Sequence, residues 1–156
     1  EAGKQVCLDG SKTSGRPISP QMAALVAETD ILICGSGFGR SATGQADLWA
    51  AGEAMLALGP RIVVQTEGAD GSYTVTATER FHIPAFDVPV VDTTGAGDVF
   101  HGAYLVGLLR GWDLHTVALF ATAVSALKCC KLGGRSGIPT FDEVLAFLRQ
   151  RGIDNL

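Results

Sequence analysis

The chain has 156 residues, the size of one domain, and can bury a sizeable core. Its 12 Lys and Arg against 16 Asp and Glu leave a formal charge of −4. No basic run interleaves with aromatics, so neither nucleic acid nor a membrane surface is expected as the main partner. No apolar run approaches the length needed to span a bilayer and no signal peptide opens the sequence, so a cytoplasmic protein is expected. The four cysteines, Cys7, Cys34, Cys129 and Cys130, lack C-x-x-C spacing, which argues against zinc and for reduced core thiols. The adjacent pair Cys129-Cys130 is read as buried, with redox activity the other reading.

Gln5-Val6-Cys7-Leu8-Asp9 reads as a short buried strand, followed by a polar loop from Gly10 to Pro17. Ser19 before Pro20 predicts a capped helix to about Glu28, and Ile31-Leu32-Ile33-Cys34 a second buried strand. Apolar strands alternating with helices indicate a parallel sheet. Gly35-Ser36-Gly37-Phe38-Gly39 then stands at the C-terminal end of a strand, where open α/β sheets bind ligands, but its spacing is not G-x-G-x-x-G. Gln45 through Leu58 predicts a helix with Leu48, Ala51, Met55 and Leu58 inward. Arg61 to Thr66 is a third strand, leading into Glu67-Gly68-Ala69-Asp70-Gly71 and a hairpin in which Tyr73, Val75 and Ala77 alternate and Phe81 and Ile83 return. His82 has the opposite parity and is expected in solvent. Pro84 and Pro89 bracket a connector.

Val90-Val91-Asp92-Thr93-Thr94-Gly95-Ala96-Gly97-Asp98-Val99-Phe100 carries the chemistry. Small residues let the backbone pass close to a ligand, and a helix start offers unpaired N–H groups at the positive end of its dipole. Asp98 in the first turn would repel a simply bound phosphate. It fits if it takes a proton from a hydroxyl that attacks a phosphoryl group held by those amides. The helix runs to about Arg110 and stops at Gly111. His101 lies one turn from Asp98, as a packing or supporting residue. Asp113 or Leu114 opens the next helix, with Val117, Phe120, Ala121, Val124, Ala126 and Leu127 apolar and Ser125 among small residues that permit close packing. Lys131 to Pro139 is a second glycine-rich loop, and Thr140 caps a last helix with Phe141, Val144, Leu145 and Leu148 inward.

The run Asp92-Thr93-Thr94-Gly95-Ala96-Gly97-Asp98 resembles the signature of the ribokinase family, also called the phosphofructokinase-B family of carbohydrate kinases. The resemblance implies a three-layer αβα sandwich with a mostly parallel central sheet, incomplete at its N-terminus. Residues 1–156 would be the C-terminal half of one kinase domain, whose other half supplies most sugar contacts and a small β lid. It implies Asp98 as general base and the amides of Gly95, Ala96 and Gly97 as anion hole. Thr66, Gly68 and Gly71 match a segment that contacts the nucleotide, although a plain hairpin turn gives the same pattern. Thr122 and Cys129 would border the adenine pocket or pack in the core. Asp92, Thr94, Lys131 and Gly133 match a site for a monovalent cation, K⁺ by resemblance, with Gly137 where a side-chain ligand sometimes stands. The family's Asn-x-x-Glu pattern, which helps organise Mg²⁺ and phosphates, is replaced by Gly35 and Phe38.

The expected function is ATP-dependent phosphorylation of a sugar hydroxyl, with Mg²⁺ bridging the nucleotide phosphates. The stretches around Asp98 and around Gly133 to Pro139 look most like sulfofructose-kinase-like and ketohexokinase-like members, implying a ketohexose; a ribose or nucleoside kinase is the alternative. Arg135 is read as a solvated loop residue or as a partner for an anionic substituent. A homodimer stays open. A nucleotide or sugar sensor without turnover would explain the missing Asn-x-x-Glu but has no need of Asp98. An NAD-dependent oxidoreductase lacks both the fingerprint and the ribose-binding acid.

Overall fold

Three apolar runs pair as neighbouring strands because their residues can be covered on both faces. They are β1 (Cys7–Gly10), β2 (Ile31–Gly35) and β3 (Ile62–Thr66). In β2, Ile31, Leu32, Ile33 and Cys34 are all buried, as are Val63, Val64 and Gln65 in β3. The computed structural model describes residues 4–11 and 16–154, so residues 12–15 of the predicted Gly10 to Pro17 loop lie outside the described residues. The chain divides into two compact units, one ending at His82 and one beginning at Ile83.

In the first unit the sheet order is β1-β2-β3-β4-β5, with β4 at Ser72–Thr76 and β5 at Arg80–Ile83. β1 and β2 pair in parallel, as do β2 and β3, with Leu8 opposite Leu32 and Leu32 opposite Val63. β3 and β4 are antiparallel, with Val63 opposite Val75 and Thr66 opposite Ser72. The fold is thus α/β with a mixed sheet, parallel through β3. Helix α1 (Pro20–Ala27) begins where predicted, its Ser19 hydroxyl accepting from the Met22 N–H at 3.2 Å. Val26 of α1 joins Leu32, Cys34, Val63, Phe38 of α2 (Phe38–Thr43) and Met55 of α3 (Leu48–Leu56) in one core cluster.

Three details depart from the sequence reading. Helix α3 starts at Leu48 and not near Gln45, because the Asp47 carboxylate accepts from the Ala50 N–H at 2.8 Å and fixes the cap there. β4 stops at Thr76, whose hydroxyl accepts from the N–H groups of Thr78 and Glu79, so Ala77 falls in the exposed turn. His82 is exposed but engaged: its ring stacks on Tyr73 at 4.3 Å between centroids and its Nε2 contacts the Asp70 carbonyl.

The second unit is built on α4 (Ala96–Leu109), α5 (Leu114–Cys129) and α6 (Phe141–Arg149). α4 and α5 approach closely at Gly107, where a Cβ would lie 3.0 Å from Val117 Cγ2. Asp113 caps α5 through its bonds from the Thr116 N–H and hydroxyl, and these hold its carboxyl below the usual range. Thr140 and Glu143 form a reciprocal capping box at α6, which likewise holds Glu143 low. Val144 and Leu148 are buried as predicted, joined by Phe147, which contacts Phe86 edge to face.

Candidate functional site

The glycine turn before α4 is a steric necessity. Gly95, the residue before the helix, has φ 77°, a left-handed conformation that strains any residue with a Cβ. A Cβ there would also lie 3.1 Å from the carbonyl oxygen of Gly134 and 3.7 Å from Asp98 Oδ2. The second glycine-rich loop therefore presses on one side of this turn and the Asp98 carboxylate lies over the same point. Asp98 is the acid of the first turn of α4 and is exposed. At Gly97 a Cβ would meet nothing within 4 Å, so the helix start faces open space.

The predicted trio of amides needs one correction. The N–H of Ala96 donates to the Thr93 carbonyl at 3.1 Å, closing the turn that brings the chain into the helix. That leaves Gly95, Gly97 and Asp98 as the first-turn positions whose N–H groups have no backbone acceptor among the described residues. Ser125 of α5 donates to the Ala96 carbonyl at 3.1 Å, tying the helix start to α5. Ser125 thus anchors the site, beyond the packing role its size suggested.

Asp92 joins the two glycine-rich segments. Its carboxylate accepts from the Thr94 N–H (Oδ1, 2.8 Å) and from the Gly133 N–H (Oδ2, 2.7 Å). Hydrogen bonds from the Thr94 backbone, the Thr94 side chain and the Gly133 backbone, helped by the charge of Lys128, hold its carboxyl down to about 2. The N–H groups of Val91 and Asp92 both donate to the Cys129 carbonyl, at 2.8 and 3.1 Å. Lys131 is exposed.

Lys128 escaped the sequence reading. It is fully buried, and its Nζ donates to the backbone carbonyl of Asp92 at 2.7 Å. The signal was available: Val117, Ala121 and Val124 define the buried face of α5, and Lys128 falls four residues further on that face.

Thr122 and Cys129 are both buried. Thr122 is buried and donates its hydroxyl to Ala118 O, one turn back, at 2.8 Å. Burial pushes the Cys129 thiol up. Among the described residues no disulfide forms.

The other nucleotide candidates belong to the first unit. Thr66 ends β3 and its hydroxyl donates to the Cys34 carbonyl at 3.3 Å. Gly68 (φ 59°) and Gly71 (φ 95°) bound a 3-10 turn, closed by the Glu67 N–H on the Gly71 carbonyl at 2.8 Å. In the Gly35 to Gly39 stretch, Gly37 is exposed with φ 82° before α2, whereas Gly39 is buried and a Cβ there would meet Gln65 Oε1 at 2.5 Å. Phe38 is buried in the core cluster and presents no oxygen. No group of three or more His, Cys, Asp or Glu that could hold a metal occurs among the described residues. None of the described helices is long and apolar enough to cross a membrane.

This α/β arrangement is that of ribokinase-like proteins. It superposes on the ribokinase of Thermotoga maritima with a TM-score of 0.82 at 32% identity, over 94% of this chain and 50% of that one. Residues 11–141 match the pfkB family carbohydrate kinases, and the chain belongs to that family. It is 40% identical to the ribokinase of Bacillus subtilis (strain 168) over 89 residues, which are 57% of this chain and 30% of that protein. The Arabidopsis thaliana ribokinase structure, complexed with ribose and ATP, matches with a TM-score of 0.81 at 27% identity over 94% of this chain and 48% of that one. The chain thus spans about half the length of these structures, 50% and 48%.

Proposed function

We propose that the protein transfers the γ-phosphoryl group of ATP to a sugar hydroxyl, with Asp98 as general base. The observation that carries this is the exposed Asp98 carboxylate set over Gly95, at a helix start that faces open space. Asp98 accepts the proton of the attacking hydroxyl, which raises that oxygen's nucleophilicity toward the phosphorus. The N–H groups of Gly95 and Gly97, with the positive end of α4, balance the charge on the transferring group's oxygens. The Gly134 carbonyl abutting Gly95 and the Ser125 bond to Ala96 hold this rim in shape. In this reading Thr66, Gly68 and Gly71 border the nucleotide through the turn after β3.

Mg²⁺ neutralises phosphate charge when it arrives with ATP. The position of the family's glutamate is Phe38 in the core, so the described residues give that ion no carboxylate there. Its coordination in this reading comes from phosphate oxygens and water.

The ketohexose reading rests on the stretches around Asp98 and Gly133 to Pro139 and on Phe38 at the position of the family's glutamate. Because that ring fills the core, the position reports packing and does not discriminate among sugars. The likeness to ribokinases supports ribose or a nucleoside equally well. The experiment is ATP-dependent phosphorylation by the full-length protein across ribose, adenosine, fructose, sulfofructose and fructose phosphates, ranked by kcat/KM. A tenfold lead for one sugar assigns the substrate class. No turnover on any sugar, with nucleotide still bound, replaces the kinase reading by a sensor.

A further inference from the structure

We propose that the Lys128 ammonium is a built-in cation that takes the place of an exchangeable monovalent ion between the two glycine-rich segments, so that the protein works without K⁺. The resemblance put such an ion among Asp92, Thr94, Lys131 and Gly133, and the residues present do not fit it.

Four observations say so. Lys128 has no exposed surface, and its Nζ lies 2.7 Å from Asp92 O, so a carbonyl of the implied set is occupied by an ammonium. A buried ammonium must be solvated by protein oxygens and balanced by a nearby anion, and the Asp92 carboxylate on the same residue supplies that charge. Neighbouring carbonyls of the segment are engaged as well: Lys128 O accepts from the N–H groups of Cys130 and Lys131, and Leu132 O from the Ser136 hydroxyl. Where a side-chain ligand would stand, Gly137 is buried, and a Cβ there would lie 2.3 Å from Lys128 O, so no oxygen-bearing side chain can be accommodated. A K⁺ ion added among these groups would sit beside the like charge of Lys128. The ammonium ties α5, the helix that leads into the second segment, to the Asp92 carbonyl of the first.

The test is independent of the sugar and of turnover. Thermal unfolding of the full-length protein is followed in potassium chloride and in tetramethylammonium chloride at equal ionic strength. The wild-type midpoint should agree within about 1 °C between the salts, since an ion that does not bind the native state does not stabilise it. Lys128→Ala, which opens room for an ion, should melt several degrees lower in tetramethylammonium and recover at least half of that loss in potassium or ammonium, roughly the shift expected of a bound ion. A saturable rise of the wild-type midpoint by about 3 °C or more with K⁺ overturns the proposal. So does a Lys128→Ala protein that loses nothing or whose loss neither ion restores. If that variant fails to fold, the wild-type titration still decides.

Discussion

The N–H of Gly133 donates to Asp92 Oδ2 at 2.7 Å, joining two glycine-rich segments 41 residues apart in the chain. With the Thr94 bond on the other oxygen, this makes the ionised carboxylate a structural strut. Its folded value of about 2 lies below the ordinary carboxylate value of 3.8. The unfolded chain therefore binds this proton more tightly, and the contribution to stability is fully present above about pH 4 and lost as pH falls through 2. Asp92→Asn should lower the unfolding midpoint at pH 7, and the gap to wild type should close as pH drops from 4 to 2. A gap that stays constant over that range would mean the charge does not matter. The measurement is thermal unfolding across pH.

Asp98 is the general base in the proposed reaction. In the full-length protein Asp98→Asn should keep the KM for ATP within a few fold and lower kcat by roughly a hundredfold or more, the usual worth of a positioned base. The exposed side chain has no packing duty, so the unfolding midpoint should be unchanged. Near wild-type kcat would remove Asp98 from the chemistry.

Thr122 separates core packing from a nucleotide contact. Its hydroxyl already donates to Ala118 O, and valine keeps its shape. Thr122→Val should leave the KM for ATP within about threefold, because the lost bond is internal to the helix. A tenfold rise in that KM with kcat preserved would assign the hydroxyl to ATP.

Two glycines should respond in opposite directions to alanine. A Cβ at Gly137 would meet Lys128 O at 2.3 Å, whereas one at Gly102, inside α4, meets nothing within 4 Å. Gly137→Ala should cost about 1–3 kcal/mol by overpacking, and Gly102→Ala should gain about 0.5–1 kcal/mol by helix propensity. Chemical denaturation of both variants reads the two signs.

Much of the fold was legible because its determinants are local. Ser19-Pro20, Asp113 and Thr140 through Glu143 announce helix starts, and the uninterrupted Ile31 to Cys34 run announces a buried strand. Asp47 was harder, since it follows Gly44, Gln45 and Ala46 and nothing nearby says which of them begins the helix. The acid and glycines of the site were visible as a motif. The engagement of the Ala96 amide was not, because it follows from how Gly95 turns the chain back toward Thr93. Lys128 was overlooked because a charge on an apolar face reads as a breach of the pattern until its partner, 36 residues away, is known.

The pair of hydrogen bonds accepted by the Cys129 carbonyl has a consequence for hydrogen exchange. Val91 is 60% exposed and belongs to no regular element, which would ordinarily mark its amide as fast-exchanging. Yet Val91 and Asp92 both donate to the last carbonyl of α5, so deuterium enters these amides when their bonds to that helix end break. Their protection factors should therefore track those of the final turn of α5, making an irregular, solvent-facing segment part of the helix's own cooperative opening unit.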